Sequence, residues 1–162
     1  MKAIQVKASR IIDAPPADVY AVIRDYNVGH QAILPRPPFE EMIVEKGGVG
    51  AGTVLRLRLK VYGQVYHYHQ AVSEPEPGRV ILEEDLNSTQ RTRFIFEAVD
   101  GGRKTNITIH SEYPPAPGIA GFFQRYMIPA VTRPVYHREL NLLADYLRDQ
   151  AQASSQPNTA KA

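Results

Sequence analysis

Between Phe39 and Tyr113 the chain offers only short strands and tight turns, and helical periodicity occurs just before and just after that stretch. The resulting order is one strand, a short helical region, six strands and a closing helix. It describes an α+β chain in which a seven-stranded curved antiparallel sheet wraps around a long C-terminal helix. A sheet bent around a helix leaves space between them, so the pattern predicts a cavity.

Residues 3–12 alternate loosely and read as the first strand. Pro15 and Pro16 then fit a first helical turn, where a missing N–H costs nothing, and Asp18 suits the positive end of the helix dipole. Val19, Val22, Ile23 and Tyr26 form an apolar stripe on that helix. Gln31 to Leu34 add a further helical turn before Pro35, Pro37 and Pro38 stop it. Later strands are predicted over Glu40–Glu45, Thr53–Tyr62, Val65–Ser73, Arg79–Asp85, Arg91–Val99 and Lys104–Tyr113. Gly63, Pro77-Gly78 and Asp100-Gly101-Gly102 supply turns between them. Tyr136, Leu140, Leu143 and Leu147 share one face of the closing helix, and Pro129 and Pro134 predict either two helices or a pronounced kink near 128–134. The Gln-, Ser- and Ala-rich residues 151–162 are expected to be a disordered tail, leaving 1–150 as a single domain.

Composition removes several function classes. Cysteine is absent, which excludes disulfides, zinc thiolates and a cysteine nucleophile. The net charge of +2 is spread over Arg56, Arg58, Lys60, Arg91 and Arg93 among acids, so no nucleic-acid partner is expected. No segment approaches the ~20 apolar residues of a membrane span, and the N-terminus lacks a signal-peptide core, so a cytoplasmic location is expected. The glycine cluster at 47–52 lacks the Lys-Ser/Thr of a phosphate-binding loop, and no cofactor is expected.

Four segments carry a resemblance: Ile12-Asp13-Ala14-Pro15-Pro16-Ala17-Asp18-Val19-Tyr20, Gly50-Ala51-Gly52-Thr53, Glu74-Pro75-Glu76-Pro77-Gly78-Arg79, and Asp100-Gly101-Gly102-Arg103-Lys104-Thr105. Over roughly residues 3–150 the chain resembles the START-like or Bet v 1-like (SRPBCC) superfamily, and within it the polyketide cyclase/dehydrase-type branch. The resemblance implies a helix-grip fold with a hydrophobic cavity. It implies no single activity, since carriers, receptors, cyclases and adaptors share that shape.

If Leu55, Leu57 and Leu59 face the cavity, the Gly63 turn puts Tyr66, Tyr68, Gln70 and Val72 inside with them. The expected lining is Leu57, Tyr66, Tyr68, Gln70, Phe94, Phe96, Tyr113 and Phe123, with Phe122 and Tyr126 buried nearby. His67 and His69 share one side of a strand at a metal-chelating spacing, but two ligands are too few, and an exposed sheet face explains them and His110. His30 and His137 are read as cap or surface residues. Glu83, Glu84 and Asp85 are read as a solvated acidic strand end, of which one carboxyl would become an acid–base group if it pointed inward. No catalytic constellation is assignable. The first expectation is therefore a carrier or sensor of a small hydrophobic ligand, lipid-like or aromatic. The rivals are a polyketide cyclase or dehydratase and a protein-interaction adaptor.

Overall fold

The first and last strands of the chain lie side by side. In the computed structural model, which describes residues 2–156, β1 (Ile4–Ile12) pairs antiparallel with β7 (Lys104–Tyr113), Ile4 opposite Tyr113. Between them in sequence come α1 (Pro16–Arg24), α2 (Gly29–Ile33), β2 (Phe39–Lys46), β3 (Val54–Val61), β4 (Gln64–Glu76), β5 (Val80–Asp85) and β6 (Arg91–Val99). The sheet order β1-β7-β6-β5-β4-β3-β2 is a meander of hairpins closed on one side by β1. The closing helix, α3 (Ile119–Ser155), lies along β1, where Arg125 and Arg133 donate to the Lys2 and Lys7 carbonyls.

Seven strands, a short helical region and one long helix match the expected order. Of the two expected alternatives at Pro129 and Pro134, the single helix is the one found, with both prolines inside it. Two details differ. The helix runs to Ser155, into the stretch expected to be a tail, while 157–162 lie outside the described residues. β4 continues past Ser73 through Pro75, where a register shift against β5 takes up the proline.

Period-two alternation decides the buried face. Thr92, Phe94 and Phe96 of β6 and Thr105, Ile107, Ile109 and Ser111 of β7 are buried, while the residues between them are less so. On α3 the buried positions Tyr136, Glu139, Leu140, Leu143 and Leu147 follow a helical period.

One carboxylate ties the sheet to α1. Glu74 of β4 accepts from the Tyr20 hydroxyl at 2.5 Å, Arg24 Nε at 3.1 Å and the Ala51 amide at 2.8 Å. Gly50 lets that loop approach: its φ is +66°, and a Cβ there would lie 2.5 Å from Glu74 Oε2. Burial alone would raise the Glu74 pKa, but Arg24, Tyr20 and the Ala51 amide together hold it at about 2. The folded value is depressed, so this carboxylate's stabilisation is complete above its ordinary value of 4.5 and is lost as pH falls towards 2. Glu74→Ala is expected to cost about 1–3 kcal/mol at neutral pH. In urea titrations the gap from the parent protein should narrow on acidification below 4.5.

Candidate functional site

A cavity of about 460 Å³ lies between the sheet and the N-terminal half of α3. Leu57, Leu59, Tyr66, Tyr68 and Gln70 reach it from the β3–β4 hairpin, whose register sets Leu59 opposite Tyr66, Leu57 opposite Tyr68 and Leu55 opposite Gln70. From the helix side Gln124, Met127, Ile128, Val131, Thr132 and Val135 face it at helical spacing.

Six of the eight expected lining residues stand on its wall: Leu57, Tyr66, Tyr68, Gln70, Phe94 and Tyr113. Phe96 and Phe123 do not. Phe96 faces inward but lies two residues further along β6, where α1 covers it and Tyr20 meets it edge-on at 4.9 Å. Phe123 lies next to the cavity-facing position 124, about 100° round the helix, and is 61% exposed. Phe122 and Tyr126, expected to be buried, are exposed with it and pack edge to face on one another. His67 and His69 lie on the outer sheet face, where His69 bonds Glu45 at 2.8 Å.

The closed end of the cavity is polar, and two of its titratable groups, His30 and Glu83, differ from the sequence expectation. His30 is buried rather than a surface or cap residue, because α2 turns it inward between the Tyr26 ring, stacked at 4.6 Å, and the Phe94 ring, perpendicular to it at 5.4 Å. Its Nδ1 donates to the Ile23 carbonyl at 2.8 Å, which leaves Nε2 as a lone pair. Nε2 faces Glu139 Oε1 at 3.8 Å and Glu83 Oε1 at 4.0 Å, too far for direct hydrogen bonds. Glu83 is buried rather than solvated, sharing the inward parity of Ile81, and accepts from the Tyr26 hydroxyl at 2.8 Å. Asp85, also buried, serves the turn after β5 by accepting from the His69 amide and Ser88 hydroxyl, and Glu84 alone is exposed.

Burial dominates the electrostatics. It lowers the His30 pKa to about 4 and raises Glu83 to about 7 and Glu139 to about 8. At neutral pH the imidazole is uncharged and Glu139 holds its proton. Beside this trio a chain of polar side chains runs along the wall: Gln90 Nε2 donates to Thr92, which bonds Ser111 at 2.6 Å, which bonds Tyr136, which bonds Tyr113 at 2.9 Å. Three oxygens at the cavity, Gln70 Oε1, Gln90 Oε1 and Glu139 Oε1, are buried with no partner. A second hollow, between β1, α1 and the C-terminal half of α3, contains none of them.

A family model described as polyketide cyclase/dehydrase and lipid transport matches residues 3–148. The chain belongs to that family. Solved structures share its fold. The solution structure of the KanY protein shares 25% identity at a TM-score of 0.79, covering 91% of this chain and 99% of that one. The Zhui aromatase/cyclase from Streptomyces sp. R1128 shares the fold at 20% identity and a TM-score of 0.76, over 94% and 98% of the two chains. A START superfamily protein from Mycobacterium smegmatis does so at 16% identity and 0.67, over 90% and 98%. No curated protein sequence matches significantly. Among the described residues, no helix is long and apolar enough to cross a membrane.

Proposed function

We propose that the protein binds one small, largely apolar molecule in the cavity, with the ligand's polar end against His30, Glu83 and Glu139, and serves as its carrier or sensor. The unpartnered oxygens carry this reading. Each buried acceptor left without a donor costs roughly 1–3 kcal/mol, a cost that a ligand with a complementary polar end would offset. The volume of about 460 Å³ lies within the range of small-molecule sites. Titration with the uncharged dye N-phenylnaphthylamine tests it. One-to-one uptake with a blue-shifted emission is expected, and Leu57→Arg should weaken it about a hundredfold. Val135→Trp, which fills the space from the helix side, should do the same. Uptake unchanged in both variants while thermal melts show them folded would contradict the site.

One observation favours a second reading, an enzyme of cyclase or dehydratase type. The Nε2 lone pair of His30 is a base above pH about 4, and Glu139, 3.8 Å away, is an acid below pH about 8. Turnover of a polyketide-like substrate should then show a pH–rate plateau between those limits. His30→Gln should remove the acid limb, and an unaltered profile in that variant would exclude this pairing.

A further inference from the structure

We infer that the closed end of the cavity is a subsite for a basic ligand, an amine on an apolar frame bound as its ammonium. The inference rests on the binding reading above and names the ligand class. Its first observation is the sign of the lining: two carboxyls and no lysine or arginine face this cavity. The second is independent of charge. The partnerless atoms Gln70 Oε1 and Gln90 Oε1 are acceptors, and Glu139 Oε1 is one once its carboxyl ionises, all on residues at most 5% exposed. The Gln90 amide nitrogen is already given to Thr92, so its oxygen is what remains for a guest.

An ammonium brings three donors and no lone pair, so it satisfies such oxygens without presenting an acceptor of its own. A carboxylate or phosphate would bring only acceptors to these oxygens, beside two carboxyls. Aromatic rings of Tyr68, Phe94, Tyr113 and Tyr136 also line the cavity, a residue type that attracts cations. Burial keeps Tyr68, Tyr113, Tyr136 and Tyr26 protonated, and His30 uncharged, at neutral pH. Glu83 from β5 and Glu139 from α3 are thus the groups that ionise near neutrality to meet the cation.

Calorimetric titration of the full chain with naphthylmethylamine, naphthylmethanol, naphthoate and naphthalene separates the possibilities. At pH 8 the amine is expected to bind about tenfold tighter than the alcohol, and naphthoate weakest. Amine affinity should rise between pH 6 and 8 as Glu83 and Glu139 give up their protons, while alcohol affinity stays level. Glu139→Gln should abolish the preference for the amine over the alcohol, and an amine preference that persists in this variant would count against the inference. Amine and alcohol binding alike, or naphthoate binding best, would overturn the inference and leave the cavity reading standing. Failure of all four, naphthalene included, would overturn both.

Discussion

Glu139→Gln should raise the stability of the ligand-free protein at pH 8 and flatten its pH dependence. The wild-type carboxyl has a folded pKa of about 8 against an ordinary 4.5. Between those values the folded chain keeps a proton that the unfolded chain releases, so stability falls as pH rises. Glu83, at about 7, acts in the same direction. His30 acts in the opposite one: its folded value is near 4, so stability is lost as pH falls below its ordinary 6.5. Above 6.5 only the carboxyls contribute. An uncharged amide of the same shape should recover about 2–4 kcal/mol at pH 8, or roughly 5–10 °C in melting temperature. Thermal melts of both proteins from pH 6.5 to 9 read this directly, and parallel curves would show that Glu139 is not held neutral by the fold.

Gly29→Ala should lower stability by about 2–3 kcal/mol and impair dye uptake with it. A Cβ at Gly29 would lie 2.5 Å from the Val22 carbonyl oxygen and 3.1 Å from the Val22 Cα. These are backbone atoms of α1, which has no room to yield because Val19, Val22 and Ile23 are packed in the core. The only relief is for α2 to lift away. His30 then loses its 2.8 Å bond to the Ile23 carbonyl and its stack on Tyr26. Urea denaturation with dye titration would show both effects, and an unchanged protein would mean that the helix contact does not hold the imidazole in place.

The legible part of this site is the part governed by local rules. The alternation of Leu55, Leu57 and Leu59 and a two-residue turn at Tyr62-Gly63 determine which side of the β3–β4 hairpin faces in, so Tyr66, Tyr68 and Gln70 follow. Phe96 and Phe123 depend on distant facts, the position of α1 over one end of β6 and the rotation of α3 about its axis, neither of which strand parity contains. Glu139 did leave a signal. It lies three residues after Tyr136 and four before Leu143, a lone carboxyl on the apolar stripe of the closing helix, where a burial cost points to a role. His30 left none, because its burial comes from the docking of a five-residue helix on α1. Glu83 was ambiguous: only the pairing of β5 with both neighbours sets Ile81 and Glu83 on the inner face.

The most direct test of the account is the nitrogen NMR spectrum of the His30 imidazole, recorded from pH 5 to 8 with and without saturating N-phenylnaphthylamine. The account predicts a neutral ring protonated on Nδ1 throughout, as its bond to the Ile23 carbonyl requires, with the Nε2 resonance moving when the cavity fills. An imidazolium at pH 7, or an Nε2 resonance indifferent to a bound ligand, would contradict the account.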